Sequence, residues 1–245
     1  MTSGYWNSPW PAEDGGSTRQ QIASPVSLGT PLLASRLSIA STMVVRRELG
    51  EWFLLCHTGG DDAVSWVERF DPESLEILAR SVDLPAGPTW PGGLAVHANG
   101  DLYVVFGRYV HRLTPDLELV TSTQLPRNRP YNSFVVLSDG TLVTKDFGGA
   151  RPGEDSSYES EDCELVALSP DLEILARHTL AEGSVARLSA REFDVYVVGV
   201  HSLFEVHWNG SEFSTAKTTT YREEGEGFGW DAVIADGRAW FLNNG

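Results

Sequence analysis

Apolar and polar residues alternate in short runs along most of this chain, and Gly, Asn, Asp and Pro separate the runs. Such alternation is typical of β-strands, whose successive side chains point to opposite faces, and no apolar stripe with helical spacing competes with it. The stretch 90–126, WPGGLAVHANGDLYVVFGRYVHRLTPDLELVTSTQLP, is the clearest example. It predicts four antiparallel strands and a tight hairpin at Asn99-Gly100, a pair that suits the positive φ values of such a turn. The strands are predicted at 93–98, 102–107, 109–114 and 118–125.

The same four-strand unit recurs along the chain. The predicted second strands begin at Leu102, Leu142, Val195 and Ala239, and these starts are 40, 53 and 44 residues apart. The longest interval contains the acidic insertion 148–162, which is expected to be a solvated hairpin extension. Without it the spacing returns to roughly 40 residues, the period of a propeller blade. The sequence therefore predicts an all-β fold, a β-propeller built from four-stranded antiparallel blades.

The repeats divide the chain into an N-terminal leader, residues 1–36, and a propeller domain, residues 37–245. Four complete blades and part of a fifth fit into this domain, and the ring is expected to be six-bladed, at about 44 residues per blade. Two explanations of the partial blade stay open. Either the chain is part of a longer propeller, or residues 20–36 supply a ring-closing strand, which would remove an exposed sheet edge. Residues 1–20 are expected to form an extended, poorly ordered leader.

The charge balance excludes some classes of partner. The chain has 34 acidic residues against 18 Lys and Arg, a net charge of −16 with histidine neutral. Such a field repels phosphate groups, so we expect neither nucleic acid nor an anionic membrane as a partner. Cys56 and Cys163 are predicted to be reduced core thiols. With no signal-peptide pattern and no run of about 18 apolar residues, a cytoplasmic location is expected.

Two blade openings carry a resemblance to a known family. The segments RPYNSFVVLSDGTLVTKDFG and GWDAVIADGRAWFLNNG resemble blade openings in six-bladed propellers of the gluconolactonase, senescence marker protein and strictosidine synthase-like group. The resemblance implies that Asn132 and Asp231 belong to a ring of oxygen ligands around a divalent cation, Ca²⁺, which would polarise a lactone or ester carbonyl. From the residues alone, Asn132 also fits a turn residue that satisfies backbone groups, and Asp231 a cap at a strand start.

The channel mouth is where propellers bind ligands, because the loops that connect successive blades converge there. Trp90, Tyr131 and Trp230 precede predicted first strands, so we expect them to line this mouth. From the residues alone, the two tryptophans fit packing between blades equally well. The first hypothesis is a non-catalytic scaffold that binds a small-molecule or protein ligand at the mouth, since fold alone supports no chemistry. The alternative is a metal-dependent lactonase or esterase-type hydrolase. The third is an assembly module whose open fifth blade pairs with another chain.

Overall fold

The computed structural model describes residues 4–22, 41–90, 92–150, 155, 158–223 and 226–244. Within these ranges the chain is almost entirely strands and turns, and its one helical segment is the short 3-10 turn Glu13–Gly15. No helix in the described residues is long and apolar enough to cross a membrane.

Four antiparallel sheets of consecutive strands follow one another along the chain. Blade one contains β1 (Ser41–Arg46), β2 (Trp52–His57), β3 (Ala63–Phe70), β4 (Ile77–Arg80) and β5 (Leu84–Gly87). Blade two contains β6 (Gly93–Val96), β7 (Leu102–Phe106), β8 (Tyr109–Leu113) and β9 (Leu119–Gln124). Blade three contains β10 (Val135–Val136), β11 (Leu142–Lys145), β12 (Cys163–Leu168) and β13 (Ile174–Leu180). Blade four contains β14 (Ser189–Arg191), β15 (Asp194–Val198), β16 (Ser202–Trp208) and β17 (Phe213–Thr220).

The last part of the described chain forms a partial blade. It contains β18 (Phe228–Gly229), β19 (Val233–Ala235), β20 (Arg238–Trp240) and β21 (Asn243–Asn244). β19 pairs with β20 as a hairpin, and β18 pairs separately with β21. The prediction of a propeller with four complete blades and a partial fifth is therefore confirmed. The chain departs from the predicted four-strand unit in blade one, where β5 pairs with β3 as an additional strand.

The alternation in each strand divides its side chains between two interblade cores. All five residues of β7 are buried. Leu102, Val104 and Phe106 pack in an apolar cluster with blade one. Tyr103 and Val105, on the opposite face, pack in a cluster with blade three. Because blades pack face to face, a middle strand needs apolar residues on both faces, which explains the unbroken apolar sequence LYVVF.

The first strands of the blades lie side by side around the propeller axis. β1 contacts β6, β10 contacts β14, and β14 contacts β19. Residues 4–22 run across the ends of these strands, where each first strand turns into the second. The backbone amides of Arg46, Val96, Ala190 and Ile234 donate to the carbonyl groups of Trp10, Pro11, Ser17 and Thr18.

Blade three is joined to the leader as well, because its Val136 amide donates to the Tyr5 hydroxyl at 2.9 Å. The expectation of a poorly ordered leader is therefore wrong for residues 4–20, because backbone and side-chain hydrogen bonds hold them to all five blades. The ring-closing strand at 20–36, one of the two explanations of the partial blade, lies outside the described residues from residue 23 onward.

Candidate functional site

Asn132 lies between β9 and β10, where blade three begins, and its side chain is completely buried. Its Nδ2 donates to the carbonyl oxygen of Val185 at 3.0 Å, with Ala186 O at 3.5 Å. Its Oδ1 accepts a hydrogen bond from Lys145 Nζ at 3.1 Å. Both ends of the amide are thus used to join the entry of blade three to the entry of blade four.

Lys145, at the end of β11, is fully buried, which is unusual for a lysine. Its ammonium donates to three oxygens: Asn132 Oδ1, Ser184 O at 2.9 Å and Asp146 O at 3.3 Å. Burial lowers the pKa of Lys145, and the nearby Cys163 and Asp146 act in the opposite direction. Lys145 was not singled out in the sequence, where a polar residue at the end of TLVTK fits the exposed face of a strand.

Asp231 lies between β18 and β19, where the fifth blade begins. Its Oδ1 accepts from the backbone amide of Arg187 at 2.6 Å. Its Oδ2 lies 3.1 Å from Arg19 Nη2 and 3.5 Å from Arg187 Nη1. The same two arginines contact Glu13, at 3.2 Å from Arg19 and 2.9 Å from Arg187. These four side chains, Glu13, Arg19, Arg187 and Asp231, alternate in charge, and we call them the charge ring.

The leader supplies half of the charge ring. Arg19 is nearly buried, with 5% of its side chain exposed, and also contacts Asp14 at 2.5 Å. Burial opposes the charge on Arg19, but the surrounding carboxylates outweigh it and raise the pKa of its guanidinium. Burial raises the pKa of Glu13, and the two arginines partly offset that effect.

These contacts decide whether the residues fit a calcium ion. Calcium binds about six to eight oxygens, several of them from carboxylates. Here the carboxylate of Asp231 faces two guanidinium groups, and the amide oxygen of Asn132 accepts from an ammonium group. In the part of the chain that the structure describes, no three His, Cys, Asp or Glu side chains are grouped so that they could hold a metal. These residues, as they are paired here, do not fit the calcium ion that the family resemblance implies. The calcium site stays a prediction.

The structure does bring Asn132 and Asp231 to the same segment. Asn132 binds the carbonyls of Val185 and Ala186, and Asp231 binds the amide of Arg187. The segment 185–187 leads into β14 and is held from both neighbouring blades. Asn132 and Asp231 therefore satisfy backbone carbonyl and amide groups, as turn and cap residues do.

The three aromatic residues expected at the mouth have different environments. Tyr131 is completely buried, and its hydroxyl accepts from the Arg127 amide at 3.2 Å. Burial raises the pKa of the Tyr131 phenol well above its usual value. Trp90 is half-buried and stacks on Phe147, with ring centroids 4.2 Å apart. Trp230 is 41% exposed, so among the three it offers the most surface to a partner.

A second exposed tryptophan lies close to Trp230. All eight tryptophans fall within the described residues, and in this set the exposed ones are Trp230 at 41% and Trp240 at 54%. Leu242, at 79% exposure, lies with them along a groove of about 560 Å³ that also includes Val233 and Phe241. We call Trp230, Trp240 and Leu242 the aromatic surface. Trp230 was expected at the channel mouth, but Trp240 and Leu242 were not singled out, because their apolar residue types are equally typical of a buried blade.

Comparisons with known proteins support the fold. No protein-family model matches the chain, and no curated protein sequence matches it. A crystal structure of a protein provisionally assigned as a 6-phosphogluconolactonase, from Bacteroides uniformis, matches with a TM-score of 0.51 at 18% identity, over 82% of this chain and 63% of that one. A protein of unknown function from Bacteroides caccae matches with a TM-score of 0.49 at 11% identity, over 75% of this chain and 61% of that one. The chain thus spans less than two thirds of either structure, and the likeness to the first shows the fold alone.

Proposed function

We propose that this protein is a non-catalytic β-propeller scaffold that binds a partner through the aromatic surface of its fifth blade. The observation that carries the proposal is the exposure of Trp230, Trp240 and Leu242 along one groove. Exposed apolar side chains that lie together, unlike single ones, are typical of interaction sites, and tryptophan is among the residues that contribute most to binding energy.

The polar groups near the axis support a scaffold over an enzyme. A general base or a nucleophile is itself held by hydrogen bonds, but it keeps one atom that the substrate can reach. Asp231 is paired with two arginines, Asn132 is bonded at both ends, and Lys145 donates to three oxygens. These bonds hold the blade entries in place. The three side chains thus have a structural role, and a scaffold accounts for them without a catalytic one.

The proposal is tested by selecting peptides from a random displayed library on the immobilised protein and measuring the affinity of the selected peptides in solution. We expect the double variant Trp240→Ser/Leu242→Ser to bind them at least about tenfold more weakly, since loss of a central aromatic anchor costs about 2 kcal/mol or more. Leu49→Ser is the matched control, because Leu49 is 89% exposed in blade one, away from the groove. If no peptide is enriched, or if the double variant and the control bind alike, the proposal is wrong.

A metal-dependent lactonase or esterase-type hydrolase is the alternative proposal, supported by the resemblance of the two blade openings around Asn132 and Asp231. A thermal melt of metal-stripped protein with calcium and then with excess chelator tests it. A bound ion at about 100 times its dissociation constant would add about 2.7 kcal/mol of stability. A calcium-dependent rise in melting temperature that Asp231→Ala abolishes, followed by turnover of a lactone, would favour the hydrolase over the scaffold.

A further inference from the structure

The outer edges of blades one, two and three carry the same exposed pattern. In the turn that leads into each fourth strand, a leucine with positive φ is followed by a glutamate and two aliphatic residues. The sequences are LEIL at 75–78, LELV at 117–120 and LEIL at 172–175, and the aliphatic residues are 41–54% exposed. The glutamate takes part in the turn through its backbone amide and carbonyl groups. The side chains of the glutamate and of the aliphatic pair are thus left for contacts outside the turn.

The turns of blades two and three are anchored on the preceding blade. Leu117 is buried in the apolar cluster shared with blade one, and Leu172 in the cluster shared with blade two. Two hydroxyl groups of blade two, from Tyr103 and Thr123, donate at 2.7 and 2.8 Å to the carbonyls of Pro170 and Leu172. These bonds fix the outer edge of blade three against that of blade two, so a partner would meet a preorganised surface. We call the exposed pairs on these two edges, Leu119, Val120, Ile174 and Leu175, the rim surface.

Acidic residues border the rim surface. Asp116, Glu118 and Glu173 are exposed, and none of them forms an ion pair within the described chain. Asp171, the other carboxylate of these two turns, pairs with Arg112 at 2.7 Å. Three carboxylates are therefore available to a partner beside the aliphatic pairs.

The cations near these carboxylates do not balance them. Arg177, farther along β13, is already paired with Glu164 at 2.6 Å. Burial lowers the pKa of His178, so this side chain is neutral at pH 7. Arg69, on β3 of blade one, forms no ion pair with a described residue, and it is therefore counted against the three carboxylates. The rim surface keeps an excess of two negative charges, which favours a basic partner.

A β-bulge interrupts each of the two edges. The register shift between β8 and β9 falls at Val120, and the shift between β12 and β13 falls at Leu175. A bulge makes an edge irregular and is one of the features by which proteins prevent pairing with an added strand. The rim surface therefore fits a helix that docks through its side chains better than it fits an added strand.

We propose that the rim surface binds an amphipathic helix of a partner protein, with aliphatic residues on one face and Lys or Arg beside them. The aliphatic face covers the rim surface, and the basic residues pair with Asp116, Glu118 and Glu173. A second copy of this chain fits less well, because its net charge of −16 and its identical carboxylates would repel it. The inference goes beyond the proposed function, since this contact surface does not include the fifth blade.

The test uses a fluorescent capped peptide of about 18 residues, which is about 27 Å long as a helix. Leu recurs in it at helical spacing, and Lys occupies the flanking positions. One control peptide has Glu in place of Lys, and another has the same composition with Leu at every second position. We expect the lysine peptide to bind wild-type protein more tightly than either control and to gain helical circular dichroism as it binds. Its affinity should fall as salt is raised from about 50 to 500 mM.

Charge reversal tests the acidic border of the rim surface. Glu118→Lys/Glu173→Lys should weaken binding of the lysine peptide about tenfold or more, because two attractions become repulsions. The matched control is Asp61→Lys/Asp62→Lys, which changes the net charge by the same amount in an exposed loop between β2 and β3. The control should bind the peptide nearly as well as wild type does.

Removal of apolar side chains tests the rim surface itself. Val120→Ser/Leu175→Ser should weaken binding about tenfold, because the helix loses apolar contacts at both edges. Leu49→Ser, at an exposed position of blade one, and Trp240→Ser/Leu242→Ser, in the aromatic surface, should bind like wild type.

The inference is wrong if the two charge-reversal variants bind alike, since net charge alone would then attract the peptide. It is also wrong if the glutamate peptide binds equally well, or if the lysine peptide binds without gaining helix. A wild-type dimer that Glu118→Lys/Glu173→Lys dissociates would overturn it, because the occupant would then be a second copy. Binding that depends on Trp240→Ser/Leu242→Ser and ignores Val120→Ser/Leu175→Ser would refute this inference and leave the scaffold function of the fifth blade standing.

Discussion

The charge ring gives the most direct way to decide what Asp231 does. If Asp231 is a structural partner of Arg19 and Arg187, then replacing it destabilises the fold with or without calcium. Exposed ion pairs contribute about 0–1 kcal/mol, and breaking a fully buried pair costs about 3–5 kcal/mol. The side chains of Arg19 and Asp231 are 5% and 25% exposed, so their pair falls between these limits. We expect Asp231→Asn to lower the free energy of unfolding by about 1–3 kcal/mol, toward the lower end because Arg19 keeps Glu13 and Asp14.

The variants needed are Asp231→Asn, Arg19→Met and the double variant. Asparagine keeps an acceptor for the Arg187 amide, and methionine keeps most of the buried stem, so the pair isolates the charge interaction. Urea unfolding followed by tryptophan fluorescence supplies the free energies of the cycle. We expect a coupling energy of about 1–2 kcal/mol between the two positions and the same value in calcium and in chelator.

Two results would refute this reasoning. A coupling energy below about 0.3 kcal/mol would mean that the Arg19–Asp231 contact contributes nothing beyond independent effects. A loss of stability in Asp231→Asn that appears only with calcium would mean that the carboxylate binds a cation instead of the arginines. The single variant Asp14→Asn serves as a control, since Asp14 contacts Arg19 but does not contact Asp231.

Three further outcomes follow from buried groups. Burial lowers the pKa of His111 to about 4, so as pH falls from 6.5 the unfolded chain takes up this proton before the folded protein does. Urea titrations should show that wild type loses up to about 3 kcal/mol of stability by pH 4, and that His111→Gln does not show this loss. Burial lowers the pKa of Lys145 beneath its usual 10.5, so the stability of wild type relative to Lys145→Met should rise with pH up to that value. A flat difference would mean that folding does not lower this pKa. Gly107→Ala should lower the melting temperature and cost about 2 kcal/mol or more, because φ is +55° and a Cβ would lie 2.1 Å from the Ala86 oxygen; an unchanged melt would contradict the close approach.

The strands were predictable because both faces of a blade are buried, and alternation with apolar doublets is what that burial requires. β7 and β8 lie within the predicted 102–107 and 109–114. The turns that lead into the fourth strands of blades one, two and three were less predictable, because their backbone conformation is unusual. Leu75, Leu117 and Leu172 adopt positive φ values of 61°, 67° and 63°, a region that leucine rarely occupies. Leu117 and Leu172 are 4% and 1% exposed, and such burial can compensate the strain, a gain that no local pattern reveals.

The candidate site was less predictable, because its contacts cross the whole chain. Asn132 and Asp231 were found as residues at blade entries, and their location there was anticipated from the repeat. Their hydrogen-bond and ion-pair partners were not anticipated, since Arg19 lies outside the repeat and is separated from Asp231 by 212 positions. Lys145 was missed for a different reason: strand alternation does not show whether a lysine points to solvent or donates to three buried oxygens.

The fourth strands of the blades begin in two different ways. In blades one, two and three these strands begin with an exposed aliphatic pair, Ile77-Leu78, Leu119-Val120 and Ile174-Leu175. β17 begins with Phe213-Ser214 and continues with threonines and Lys217, so it is polar on both faces. The aliphatic pairs of blades one to three are 41–54% exposed, so they are not part of an interblade core. Apolar residues in a fourth strand therefore do not indicate burial, and the alternation that located the middle strands does not show which face of a fourth strand is covered.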